Sequence, residues 1–376
     1  MVQDRKTESK GKRIAKKALL LLVKIGIPIA IITYLVYEAK NQQSFAELYA
    51  HPKNWPLLTA ACLCCASAVL LTIVRWYFLV RALDVPCGLR EVLRIGFMGY
   101  LFNLAPMGII GGDVLKAVLL GRHYKGSQAK AFASVIVDRL MGLYMLFVVA
   151  TVAILATGFL HFDHPQIRFI CQLAIIVTVV STIGIMALWI LAAANGRLSV
   201  FLKKQPVVGE PLERLVTATA MYRHKPLVLT AGAIMSIGVH SLFTVGIFLI
   251  AIGLFGNLLP EVLSLKAHFV ISPLSAATGA IPLCMGPFEY VISHLYQWVG
   301  GSSNALAQGL VVALGYRIVT VLIAAVGLVY YFGARREVAE AMHADTHEQD
   351  PPNDKSSGQK PGDKPPSDKA STIIAA

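Results

Sequence analysis

Six stretches of the chain stay apolar for twenty residues or more, at 18–37, 55–80, 129–157, 168–193, 226–255 and 304–332. About 20 helical residues cross the roughly 30 Å hydrocarbon core of a bilayer, so each stretch predicts a transmembrane helix. The first follows a basic segment but is longer than a signal-peptide core, and no small-residue cleavage site follows Tyr37, so an uncleaved anchor is expected. Two further apolar stretches, 92–120 and 262–296, are interrupted by Pro and Gly. They read FNLAPMGIIGGD at 102–113 and ISPLSAATGAIPLCMGPFE at 271–289. Proline removes a backbone donor and glycine weakens a helix, so each stretch predicts two short helices meeting at a turn. Pro106, Pro273, Pro282, Gly286 and Pro287 are the expected break points.

The basic residues test that drawing, because a hairpin returns the chain to the side it entered from and a span does not. Seven cations before residue 18 put the N-terminus in the cytoplasm, and Arg81, Arg90 and Arg94 lie there two crossings later. Lys116, Arg122, Lys125 and Lys130 follow the first broken stretch and are on the same side only if that stretch is re-entrant. Arg197, Lys203, Lys204, Arg214, Arg223 and Lys225 complete the inner set, whereas the outer connections hold only Lys40, Lys53, Arg168 and Lys266. By the same logic the second broken stretch enters and leaves from outside, and the last span returns the tail to the cytoplasm. The expected fold is therefore an all-α polytopic membrane protein with six full spans and two oppositely inserted re-entrant hairpins.

Composition agrees and narrows the class. Of 376 residues 56% are hydrophobic and only 15% charged, with a mean hydropathy of +0.64. That excludes an ordinary soluble enzyme, a disordered chain and a disulfide scaffold. The net charge of +13 mostly reports orientation, and no nucleic-acid partner is expected. The six cysteines, Cys62, Cys64, Cys65, Cys87, Cys171 and Cys284, show no metal-ligand spacing and are expected to be reduced and packed. Segment 1–17 is a basic cytoplasmic terminus, and 335–376, rich in Pro, Asp, Lys, Ser and Gly, is expected to be a disordered cytoplasmic tail.

The two broken stretches share more than composition. Pro106 precedes Asp113 by seven residues and Pro282 precedes Glu289 by seven, with glycines between. Each acid is followed by an arginine in the next span, Arg139 after 26 residues and Arg317 after 28. Three crossings separate the hairpins, so the copies, 55–157 and 226–332, form an inverted repeat. Such repeats with broken helices near the midplane are the sequence trace of alternating-access transporters.

Arg139 and Arg317 lie too deep in their spans to snorkel easily, and a charge at the bilayer centre costs about 2.5–3.5 kcal/mol. Asp113 and Glu289 fall at the start of a half-helix, where the helix dipole favours a carboxylate and a bidentate arginine pair is possible. Two readings stay open: ion-pair clamps, or a site in which the arginines and the amides of Gly111 and Gly112 meet a phosphate. The acids then balance charge or carry protons. Asn103 is read as a helix cap or a headgroup contact, His240 as a hydrogen-bonded packing residue, and Arg75 as snorkelling to the cytoplasmic end. No P-loop, metal motif or nucleophile arrangement is present, so neither cofactor nor enzyme activity is expected.

GGDVLK at 111–116, DRLMGL at 138–143 and PLSAATGAIPLCMGPFE at 273–289 resemble the membrane domain of the lysylphosphatidylglycerol synthetase and flippase-like family, over about 56–332. The resemblance implies translocation of phospholipids or polyprenyl-linked lipids, with Asp113, Arg139 and Glu289 at the family's acidic and arginine positions. Full-length synthetases add a soluble aminoacyl transferase. Here only a short tail follows, so lipid aminoacylation is not expected. The expected function is movement of an anionic phospholipid or polyprenyl-linked lipid between leaflets of the cell membrane, with protons and a homo-oligomer as possible partners. A membrane enzyme acting on a lipid-linked sugar or phosphate, and a channel or small-ion transporter, are the alternatives.

Overall fold

The computed structural model describes residues 33, 34, 37, 52–104, 111–124, 126–193, 209–280, 286–302 and 304–334, and every regular element among them is helical. Between residues 52 and 334 the described residues form ten α-helices: α1 Trp55–Ala82, α2 Leu89–Leu104, α3 Gly112–His123, α4 Gln128–Thr157, α5 Pro165–Ala193, α6 Gly209–Tyr222, α7 Pro226–Phe255, α8 Leu265–Ala276, α9 Pro287–Gly300 and α10 Ala305–Gly333. Five of them, α1, α4, α5, α7 and α10, are long and apolar enough to cross a membrane. They coincide with five of the six spans read from hydropathy, to within a few residues at each end. The sixth, 18–37, lies outside the described residues apart from three positions, as does the tail 335–376.

Local chemistry sets the ends. The Asn54 side chain caps α1 by accepting from the Leu57 amide at 3.3 Å, with Pro56 in the first turn, where its missing N–H costs nothing. Gly158 and Gly301 close α4 and α9 in the left-handed conformation, at φ 73° and 64°.

Each broken stretch forms a pair of packed short helices, α2 with α3 and α8 with α9. Their 12 to 16 residues give lengths of about 18–24 Å, short of a bilayer core. The bends fall in particular places. Pro273 lies inside α8, which continues to Ala276 before a 3₁₀ turn, Ala277–Ala280, ends it. So close to the C-terminal end, the missing Pro273 amide removes one hydrogen bond without stopping the helix. Gly286 takes the N-cap of α9 at φ 102°, and Pro287 is its first residue. Pro106 and Pro282 lie outside the described residues, as does Cys284. The other five cysteines are unpaired.

Exchanging α1–α4 for α7–α10 leaves the principal packing pattern unchanged. Span packs on hairpin in both halves (α3 on α4, α9 on α10), and each hairpin also reaches the opposite half (α2 on α10, α8 on α4). Between the halves runs a seam of α1 against α7, and it is antiparallel. The Asn54 amide donates to the Gly253 carbonyl at 2.9 Å, Gly246 abuts Cys65 and Ala61, Gly238 abuts Leu71, and Arg75 reaches Ser236. Residue numbers rise along one helix as they fall along the other. Two buried apolar clusters flank the seam, one around α2 and α3 with Trp76, Met98 and Leu120, the other around α8 and α9 with Ile250, Phe255 and Tyr296.

Candidate functional site

Both acids sit in the first turn of a short helix, Asp113 in α3 and Glu289 in α9. Arginines from the following long helices meet them. Arg139 in α4 lies about 16 Å along its helix and Arg317 in α10 about 18 Å along its own, at 1.5 Å per residue. The two pairs are differently built. Glu289 is fully buried: Oε1 accepts from Arg317 Nη2 at 2.6 Å and Nε at 3.0 Å, and Oε2 accepts from the Gly286 amide at 2.7 Å. Asp113 receives Arg139 through Oδ2 and Lys116 through Oδ1, the latter at 3.4 Å, and bonds the Asn103 side chain. Here the Arg139 side chain is 56% exposed, against 20% for Arg317.

The asymmetry has a cause in sequence. Three residues after Asp113 stands Lys116, whereas three after Glu289 stands Ile292. Before Arg139 stands Asp138, whereas before Arg317 stands Tyr316. Arg75 of α1 contradicts the snorkelling expectation. It is 4% exposed and donates to Asp138 Oδ1 at 2.8 Å, to Ser236 Oγ at 2.7 Å and to the Asp138 carbonyl at 3.2 Å. The acid one residue from Arg139 supplies a partner that snorkelling would forgo. Lys116 Nζ lies 5.5 Å from the Trp76 ring centroid, and the Trp76 indole donates to Ser134 Oγ at 3.2 Å.

Part of this set borders a cavity of about 480 Å³ between the two halves. Arg75, Lys116, Asp138, Arg139, Asn103 and His240 supply its polar wall, and Phe243, Phe288 and Tyr316 an aromatic one. Phe288 and Tyr316 rings lie 5.3 Å apart. Pro273 also lines it. His240 bonds the Gly142 carbonyl through Nε2 at 2.9 Å while facing the space, so it both packs and lines. Of the expected site residues, Asn103 and Arg139 border the cavity, and Asp113 reaches it through Arg139. Glu289, Arg317, Gly111 and Gly112 are not among its described lining. Gly112 instead lets α2 and α3 touch: a Cβ there would lie 1.8 Å from the Gly99 carbonyl oxygen. Arg75, Lys116 and Asp138 were missed as site residues by sequence reasoning. The charge count in a hydrophobic region was the available signal.

The cluster holds three cations, Arg75, Lys116 and Arg139, against two carboxylates, Asp113 and Asp138. Five apolar long helices, two pairs of short helices and a charged cavity beside the antiparallel α1–α7 seam define a polytopic helical membrane protein. Residues 19–327 match the lysylphosphatidylglycerol synthase transmembrane region, and the chain belongs to that family. It is 25% identical over 284 residues to a UPF0104 membrane protein of Methanothermobacter thermautotrophicus, covering 69% of this chain and 81% of that protein. A UPF0104 membrane protein of Pyrococcus horikoshii is 27% identical over 143 residues, 38% of this chain and 42% of its own length.

Proposed function

We propose that the protein moves an anionic phospholipid or polyprenyl-linked lipid between bilayer leaflets. The observation that carries this reading is the excess of one cation over carboxylates beside a cavity lined by the middle of long apolar helices. An unneutralised charge in that setting costs about 2.5–3.5 kcal/mol on insertion scales, and a phosphate headgroup removes the cost. The acyl or prenyl chains remain in lipid while the headgroup crosses.

The antiparallel seam and the matched packing of the halves support an inverted repeat, 55–157 with 226–332. The short helix pairs support two re-entrant hairpins inserted from opposite faces beside six full spans. In this arrangement α2–α3 opens to the cytoplasm and α8–α9 to the outside of the inner membrane, with both termini cytoplasmic. Rocking of the halves then exposes the cavity alternately. Such movement breaks no covalent bond, so catalysis and cofactors are not required. The acids Asp113 and Asp138 offer proton sites for coupling, and a homo-oligomer is compatible with this arrangement.

The test is leaflet exchange of labelled anionic lipids in proteoliposomes, for wild type, Arg139→Ala and Asp113→Asn. Wild type exchanges lipid and the variants slow it. Ion flux without lipid exchange, or conversion of a lipid-linked substrate, refutes the proposal. Topology is tested by cysteines at Arg90 and Gln128, labelled from the cytoplasm, and at Glu261 and Ser302, labelled from outside. Labelling of all four from one face removes the inverted repeat.

A further inference from the structure

A second cavity, of about 390 Å³, lies on the other side of α4, between it and α5, α6 and α7. Leu140 borders both cavities, and its neighbours divide between them: Arg139 faces the charged cavity and Met141 the second one. The two cavities therefore meet at the Leu140 side chain, on the flank of α4 between Arg139 and Met141.

The second cavity has no charged lining among the described residues, and its hydroxyls are already engaged. Thr219 and Thr230 donate to the carbonyls of Leu215 and Pro226 at 2.8 and 3.0 Å. Tyr222 donates to the Leu79 carbonyl at 2.8 Å, and Tyr144 bonds Thr182 at 3.1 Å. With their protons committed in these bonds, the hydroxyls have none to donate to a phosphate oxygen, which would lose its hydration there. An aliphatic chain loses nothing. The flanking helix α5 turns Ile183, Met186 and Ile190 outward, 61–68% exposed, as a lipid-facing surface does.

We propose that this groove holds one acyl or isoprenoid chain of the same lipid whose headgroup enters the charged cavity. Leu140 is then the fulcrum between chain and headgroup, and chain length as well as headgroup charge selects the substrate. The inference rests on the transport reading for the identity of the headgroup, but the chain site is tested separately.

The full chain is reconstituted with a phosphatidylglycerol carrying a photoactivatable diazirine in mid-chain, and adducts are mapped by mass spectrometry. Adducts fall on Met141, Met145, Trp189 and Leu229. Leu229→Trp and Ala233→Leu, which fill the groove, lower adduct yield and long-chain lipid exchange about tenfold, the loss expected from displacing only two or so buried methylenes. Binding of a water-soluble dibutanoyl analogue to the charged cavity stays as in wild type. Adducts elsewhere, or adducts indifferent to both substitutions, overturn the chain site. So does a disulfide from Leu229→Cys to a cysteine within 18–37 that forms fully and blocks labelling, because the protein's own N-terminal segment is then the occupant. Adducts in the groove without leaflet exchange leave the chain site standing and remove the transport reading. Exchange that depends on Arg139 with no adduct in the groove does the reverse.

Discussion

Arg317→Ala and Arg139→Ala remove equivalent residues of the two halves and are expected to have opposite effects. Removing Arg317 leaves the buried Glu289 carboxylate with the Gly286 amide as its one remaining partner among the described residues. Two bonds to Oε1, at 2.6 and 3.0 Å, are lost together. Breaking a buried pair in this way costs about 3–5 kcal/mol, because the remaining charge is stranded. Removing Arg139 strands nothing: Asp113 keeps Lys116 at 3.4 Å, and the Arg139 side chain was 56% exposed. For so exposed a pair the stability loss is about 0–1 kcal/mol. Function should invert the order of effects, since Arg139 borders the cavity and Arg317 is not in its described lining. Loss of one charge-assisted bond to a headgroup, about 1.5–3 kcal/mol, slows exchange roughly 10- to 100-fold. Reversible unfolding in mixed detergent and dodecyl sulfate micelles measures the stabilities, and liposome exchange per folded molecule measures the activities. Equal destabilisation by both substitutions, or an active Arg139→Ala beside a stable but inactive Arg317→Ala, refutes the division of labour.

Other outcomes follow from single contacts. Gly112→Ala forces a Cβ to within 1.8 Å of the Gly99 carbonyl oxygen and prevents α2–α3 packing, whereas Gly111→Ala meets nothing nearer than 4.0 Å; gel filtration in detergent should show aggregation of the first and a wild-type profile of the second. Arg75→Ala strands Asp138, 5% exposed, and costs about 3–5 kcal/mol in the same unfolding assay; a loss under 1 kcal/mol would mean that Asp138 is already served by other groups. Burial, and then donation to Glu91, pushes the Tyr124 phenol up to about 12. The fold favours the protonated form, so this contribution is complete below about pH 10 and is lost as pH rises from there through about 12. The ultraviolet ionisation difference between wild type and Tyr124→Phe should therefore titrate near 12, and a difference centred on 10 would contradict it.

The long helices were legible because hydropathy over twenty or more residues depends on composition alone, and α1, α4, α5, α7 and α10 lie where that pattern puts them. The pairing of each hairpin acid with the arginine of the next span was legible through shared spacing. Arg75 was not, because its partners are 63 and 161 residues away and their approach depends on the seam between α1 and α7. Helix α6 escaped because 14 residues flanked by basic loops carry no span-like signal, although Tyr222 at its end is buried. Pro273 shows the limit of reading proline as punctuation: near the end of a helix it can be carried for another turn.

On the proposed transport reading, the α1–α7 seam also constrains how the halves move. Near one end it is fastened by a backbone hydrogen bond at Asn54 and Gly253, near the other by the Arg75 contact to Ser236, with glycines at 238 and 246 holding the helices close between. A one-turn slip, about 5.4 Å, would break both fastenings and drive side chains into backbone at the glycines. On the proposed transport reading the seam is therefore an axle rather than a sliding joint, about which the two halves rock.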